Sequence, residues 1–220
     1  LEVRASRGDT RLGGDDIDRA LCDLVLERVG HSRTAIERDP RAYVRLLEAV
    51  ERAKIALSER EEVRLFDPFL AGTGATAVHL DLTLTREDLE RVARPMIERT
   101  LRCIDEALRD ARVRGDELDR VLLVGGASKM PLCARLVSEH LSMPAQVSAD
   151  ADQSVAYGAS LLAGRAAGAA VDEVLVDVTP HTLSAGAVRT GEELDLDELA
   201  AISIVPRNTV VPTERSHRLF

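Results

Sequence analysis

Hydrophobic positions along the 220-residue chain change their spacing several times, and each change marks a new element. Leu1, Val3 and Ala5 alternate with Glu2, Arg4 and Ser6, which is the period of a half-buried strand, and Gly8-Asp9 ends it in a turn. Ile17, Leu21, Leu24, Val25 and Val29 then follow helical spacing. Asp15, Asp16 and Asp18 stand at the head of that series, where a helix dipole favours negative charge, so a helix is expected to start near Asp15 with these acids as its caps. Leu46, Val50, Ala53 and Leu57 recur at intervals of 4, 3 and 4, predicting a helix over Arg41 to Ser58. From Glu61 to Leu84 the period falls to two, in Val63 and Leu65 and again in Val78, Leu80, Leu82 and Leu84, so two hairpin-like strands are expected around Gly72 and Gly74. Thr85-Arg-Glu-Asp88 has the capping-box form and opens an amphipathic run to about Arg112, which Pro95 is expected to kink or divide.

Val121-Leu-Leu-Val124 is wholly apolar, the pattern of a strand at a sheet centre covered on both faces. Gly125-Gly126 ends it; a helix is expected from about Pro131 to Leu141, a short strand at Gln146-Val147, and a small-residue helix from Asp152 to about Ala167. This alternation reads as α/β layers. From Asp172 the chain changes to short β-like pieces, at Val174 to Val176, Val178, Ile202 to Val205 and Val210-Val211, punctuated by Pro180, Pro206 and Pro212. A domain boundary is expected there, with too few strands after it to bury a second core.

Composition narrows the functional classes. Aromatic residues are 2% of the chain against 45% hydrophobic, so the core is aliphatic and stacking platforms for single-stranded nucleic acid lack material. A formal charge of −9, from 29 basic and 38 acidic residues, argues the same way, because phosphate-backbone binding needs a basic face. The acidic run Glu192 to Glu198 reads as a solvated loop or short helix. A membrane span needs roughly 18 uncharged residues, and the longest such stretch, Pro68 to Leu80, has 13, so no membrane association is expected. Cys22, Cys103 and Cys133 are odd in number and widely spaced, suiting reduced, buried thiols in a cytoplasmic protein rather than a disulfide framework or zinc site. The start at Leu1, with no signal pattern after it, reads as a cut within a longer chain.

Two features carry candidate chemistry. In strand Val121 to Val124, turn Gly125-Gly126-Ala127-Ser128-Lys129 and helix, the glycines admit close approach of a ligand to the backbone, and the following amides attract phosphate or ribose oxygens. An ordinary tight strand-to-helix turn has the same letters, since no Gly-x4-Gly-Lys loop is present. Glu51, Lys54 and Ser58 fall within about 60° of one another on their helix, roughly 110° around from the apolar stripe. They form a polar flank suited to hydrogen-bonding a ribose and a base edge, or equally a plain surface Glu–Lys pair. Gly72-x-Gly74-x-x-Ala77 has the letters of a dinucleotide loop without its strand-to-helix context. Asp15, Asp16 and Asp18 lack the spacing of a calcium loop. The five histidines are isolated and most read as surface residues, with no metal-ligand or nucleophile motif beside them.

Taken in order, Gly8-Asp-Thr-Arg-Leu-Gly-Gly-Asp-Asp-Ile-Asp18, Glu51-Arg-Ala-Lys-Ile-Ala-Leu-Ser58, Leu123-Val-Gly-Gly-Ala-Ser-Lys-Met-Pro131, Ser154-Val-Ala-Tyr-Gly-Ala159 and Asp177-Val-Thr-Pro180 resemble the DnaK-type heat-shock chaperones. Pro206-Arg-Asn-Thr-Val-Val-Pro-Thr213 extends the resemblance, which is weakest between Leu183 and Ala201. It implies lobe II of an actin-like ATPase domain over residues 1–170, an interdomain linker over 171–180, and the start of a β-sandwich substrate-binding domain over 181–220. It further implies ATP or ADP as ligand, with Mg2+ held by parts that precede Leu1. Glu51, Lys54 and Ser58 would contact ribose and adenine, Gly125, Gly126, Ala127, Ser128 and Lys129 would line the other side, and Asp152 would support the pocket. Its partners would be unfolded polypeptide clients, a J-domain co-chaperone and a nucleotide-exchange factor, in a cytoplasmic stress-response and protein-folding role.

The sequence departs from the family pattern at several points. Lys129 stands where an Arg usually stacks on adenine, and Lys lacks the planar guanidinium. Asp150-Ala151 replaces Asn-Pro, and His181-Thr-Leu-Ser184 replaces a more apolar segment. With the phosphate loops and metal-positioning acids expected before Leu1, these residues alone are not expected to hydrolyse ATP. The other reading is a non-catalytic interaction module that keeps the fold and has lost useful nucleotide affinity.

Overall fold

The computed structural model describes residues 1–31, 33–36, 39–72, 77–170, 174–187 and 200–216, in two compact units. One unit comprises Asp9–Arg102 and Leu118–Gly158; the other comprises Leu1–Gly8, Cys103–Glu117 and Ala159–Phe220. Mixed helix and strand content agrees with the α/β expectation.

In the first unit, α1 (Gly14–Arg28) begins where the acids predict, with the Asp16 carboxylate accepting from the Gly13 amide at 2.8 Å. The short α2 (Arg33–Ile36) leads to α3 (Pro40–Leu57), capped by Asp39, which accepts from the amides of Arg41 and Ala42. The α3 stripe is inside as its spacing requires: Leu46, Val50 and Leu57 are fully buried and Ala53 nearly so. Strands β1 (Glu62–Ala71) and β2 (Val78–Thr85) pair antiparallel with Leu65 opposite Leu82, and a bulge falls between Asp67 and Ala71. Their inward residues Leu65, Leu70, Leu80 and Leu84 join Leu21, Leu26 and Leu46 in one aliphatic core. Each such leucine contributes about 2 kcal/mol through burial. The aromatic side chains Phe66 and Phe69 stay outside, at 63% and 70% exposure. Gly74 of the Gly72-x-Gly74 pattern lies outside the described residues.

Helix α4 (Arg86–Ala111) opens with the expected capping box: the Asp88 amide donates to Thr85 Oγ1 at 3.2 Å, and the Thr85 amide donates to Asp88 Oδ2 at 3.1 Å. Pro95 does not divide it. Ala93 and Ile97, on either side of the proline, are buried in the core, and that packing keeps the helix continuous where an isolated one would break.

After a 3-10 turn at Gly115–Glu117 come β3 (Val121–Leu123), a 3-10 turn at Gly126–Lys129, α5 (Pro131–Leu141) and β4 (Ala145–Val147). Strands β3 and β4 are parallel, Leu122 opposite Gln146. The expectation of a strand covered on both faces is corrected: among the described residues this sheet has two strands, and Leu122 is 58% exposed. A run of four apolar residues reports hydrophobicity, and it carries no information on what lies over each face.

Helix α6 (Ser154–Ala166) contributes residues to both units. In the second unit, the expected strand Leu1 to Ala5 reduces to a parallel bridge between Glu2 and Val176, in which the Val3 amide donates to the Val176 carbonyl at 2.8 Å. The later elements are β5 (Asp177–Val178), β6 (Leu183–Ala187), β7 (Ala200–Val205) and β8 (Val210–Val211). They pair antiparallel as β5 with β8 and β6 with β7. Strand β6 is absent from the sequence reading because Leu183-Ser-Ala-Gly-Ala187 has small residues and weak β-propensity. The acidic run Glu192 to Glu198 lies outside the described residues.

A polar network ties this unit together. Asn208 accepts from the Ser6 amide at 3.2 Å and donates to Asp110 at 2.9 Å, while Arg7 donates to the same Asp110 oxygen at 2.7 Å. Asn208 takes a left-handed φ of +59°, which Asn tolerates better than most residues.

Candidate functional site

One cleft of about 630 Å³ in the first unit is lined by Glu51, Lys54 and Ser58 of α3, by Gly126, Ala127 and Lys129 of the 3-10 turn, and by Asp152. Seven of the nine residues singled out from the sequence therefore meet around a single space. The other two, Gly125 and Ser128, belong to the same turn but do not line the cleft. Gly125 has φ +89° and ψ 152°, a conformation that glycine alone adopts readily, and its amide donates to the Ala151 carbonyl at 2.7 Å. Ser128 turns back on the loop, its hydroxyl donating to the Gly125 carbonyl at 2.6 Å.

Apolar side chains complete the lining. Ile55, 61% exposed, follows Lys54 on α3, and Val147 and Met130 stand with the turn. Ile55 is one helical turn from Glu51 and carries an exposed apolar surface beside polar groups, the arrangement a flat heterocycle needs. That exposure, unlike the residue type, was not legible in the sequence.

Both ammonium groups of the cleft are paired with carboxylates, and Glu51 and Glu59 leave it net negative. The Lys129 ammonium donates to Asp152 Oδ2 at 2.5 Å, both groups being about half exposed. Lys54 was expected on a polar surface flank, where Glu51 would be its natural partner. It is instead buried, and it donates to Asp18 Oδ2 on α1 at 2.7 Å and to the Gly14 carbonyl at 3.3 Å. Asp18 thus departs from the helix-capping role expected of it; the capping is done by Asp16. The signal for this was present, because Asp18 lies three and four residues before Leu21 and Cys22 and so shares their inward face. Burial pushes the Asp18 carboxyl above its ordinary range, and the hydrogen bond from Lys54 only partly opposes this.

Of two further glycines at the cleft, Gly14 has the tighter surroundings and Gly126 has room for a Cβ at ordinary contact distance. A Cβ on Gly14 would stand 3.3 Å from Lys54 Nζ and 3.8 Å from Ala127 Cβ, and one on Gly126 would stand 3.9 Å from Asp152 Oδ1. Beneath the turn, the Cys133 thiol donates to the Ala127 carbonyl at 3.4 Å, and burial pushes it up to about 11, so it is an unreactive packing group. Cys22 is pushed to about 12 by burial, and no two cysteines are bonded.

The donor set fits the nucleoside end of a nucleotide better than its phosphates. Three carboxylates, Glu51, Glu59 and Asp152, face two ammonium groups that already have ionic partners. Among the described residues no group of three or more His, Cys, Asp or Glu side chains is placed to hold a metal ion. No described helix is long and apolar enough to cross a membrane.

The sequence model of the family described as Hsp70 protein matches residues 1–220. The chain is 37% identical over 217 residues to "Chaperone protein dnaK3" of Synechococcus elongatus, and equally so to "Chaperone protein DnaK 1" of a Synechococcus species. Each match covers 98% of this chain and 28% of the relative. The chain belongs to the Hsp70 family, DnaK type.

Proposed function

We propose that this chain supplies the nucleoside-binding side of an ATP- or ADP-binding site in a molecular chaperone. The observation that supports it most is the convergence of Glu51, Lys54 and Ser58 with Gly126, Ala127, Lys129 and Asp152 on one cleft, from segments far apart in sequence. Glu51 and Ser58 offer hydrogen-bonding groups for ribose hydroxyls and a base edge, and Ile55 and Val147 offer an apolar face for the base. The two paired ammonium groups leave little to attract a triphosphate, so the phosphates and Mg2+ belong to other parts of the full-length chaperone. The bound nucleotide supplies the phosphoryl group; these residues bind and orient its nucleoside. Residues 1–170 are read as lobe II of the nucleotide-binding domain, 171–180 as linker and 181–220 as the opening of a substrate-binding sandwich.

In this reading the full-length protein couples nucleotide state to the holding of unfolded polypeptides, with a J-domain co-chaperone and an exchange factor as partners, in the cytoplasm. The chain alone does not turn over ATP; hydrolysis by the metal-replete chain that disappears in Lys54→Ala would overturn this. The test of the site is binding of a fluorescent adenine nucleotide to the wild-type chain, Glu51→Ala and Gly126→Val, with circular dichroism on each. Binding that both substitutions abolish is expected, and folded variants that bind as tightly as wild type would overturn the site.

One feature favours a second reading. Lys129 is engaged with Asp152 and presents no guanidinium plane, so stacking on a base is weak. A folded wild-type chain with no nucleotide affinity, restored by no upstream segment, would make the protein a non-catalytic interaction module.

A further inference from the structure

We propose that Asp18 is a positioning residue of the nucleoside cleft, acting through Lys54: it fixes the ammonium against α1 and turns a cationic group into a neutralised hydrogen-bond donor. The inference rests on the nucleoside reading of the cleft. Lysine has three N–H donors. Two are committed, at 2.7 Å to Asp18 Oδ2 and 3.3 Å to the Gly14 carbonyl, which leaves one N–H for a ligand. Three staggered donors on one nitrogen have fixed relative directions, so holding two determines where the third points.

Asp18 Oδ1 is buried and finds no hydrogen-bond partner among the described residues, while Oδ2 serves Lys54. The pair is enclosed, the side chains being 7% and 11% exposed, so it acts with little solvent screening. It also joins both walls of the cleft. Gly14 lies against Lys54 Nζ on one side and Ala127 on the other, so the first turn of α1 brackets the α3 flank and the 126–129 turn together. An acid whose one hydrogen-bond partner among the described residues is a cleft lysine, on a helix that otherwise contributes nothing to the lining, is placed to set that lysine's geometry and charge.

The test compares adenosine, which is uncharged, with AMP, using Asp18→Asn in the whole chain. Loss of the charged hydrogen bond loosens the third donor, and adenosine affinity is expected to fall about tenfold. The freed ammonium then attracts the phosphate of AMP, so AMP loses less and the ratio of AMP to adenosine affinity rises about threefold or more. A merely structural role would weaken both ligands alike. An unchanged ratio in a folded Asp18→Asn chain whose wild type binds adenosine overturns the proposal alone. A folded wild type that binds neither ligand overturns the nucleoside reading and the proposal with it. Should Asp18→Asn not fold, Lys54→Met is compared with Asp18→Asn/Lys54→Met, neither of which carries an unpaired buried ammonium. Equal affinities are expected of that pair, and a further loss in the double variant would show that Asp18 acts otherwise than through Lys54.

Discussion

The two compact units are held by different chemistry. The unit of Asp9–Arg102 and Leu118–Gly158 contains every member of the aliphatic core cluster, from Ile17 to Leu136. In the other unit, the buried hydrophobic residues among those described are Val178 and Val205. What orders it instead is the set of hydrogen bonds joining Ser6, Arg7, Asp110 and Asn208, with Thr179 Oγ1 donating to the Pro206 carbonyl at 2.8 Å. Apolar burial is non-directional and tolerates repacking, whereas a hydrogen-bond network depends on each partner. The first unit should therefore yield to volume changes and the second to loss of single polar groups.

The largest effect is expected from Leu46→Ala in the first unit, a loss of about 3 kcal/mol in urea unfolding, against about 1 kcal/mol for Val205→Ala in the second. Equal losses would mean that the second unit has an apolar core as important as the first.

An acid-dependent contribution comes next. Burial pushes the Asp88 carboxyl upward, but hydrogen bonds from Arg28, the Thr85 amide and Arg91 together hold it at about 2, against an ordinary 3.8. Because its folded-state value is depressed, Asp88 stabilises the fold above 3.8 and loses that contribution as pH falls from there toward 2. Asp88→Asn should remove about 1 to 2 kcal/mol at neutral pH and flatten the acid limb of the stability profile. A variant that keeps the wild-type slope below pH 4 would assign acid sensitivity to other carboxylates.

In the polar unit, Asn208→Gly removes the side chain without straining the left-handed backbone. Amides of Thr179 and Thr209 are expected to exchange about tenfold faster with solvent while α3 amides are unchanged. Exchange accelerated in α3 as well would show that the two units do not open separately. The smallest effect belongs to Arg64, paired with Asp81 across the hairpin with both side chains more than half exposed. Arg64→Ala should leave the melting temperature within experimental scatter.

What the sequence by itself determined is the longer elements of the apolar unit and seven of the residues that line the cleft. Helices at Gly14, Pro40 and Arg86, the caps of the first and last of these and the β1–β2 hairpin follow from period and end signals, which are local properties of neighbouring residues. Glu51, Lys54 and Ser58 were legible as one flank for the same reason, and Gly125 as part of a glycine pair between an apolar strand and a helix. Tertiary structure alone decided the rest. Asp18 meets Lys54 across 36 positions and Asn208 meets Asp110 across 98, and no local pattern encodes such partners. Pro95 stayed within one helix because Ala93 and Ile97 found a core, and Leu122 stayed exposed although its run looks buried. Periodicity states which side chains prefer to leave water; which neighbours receive them, and which charges are neutralised on the way, is settled only when distant segments pack.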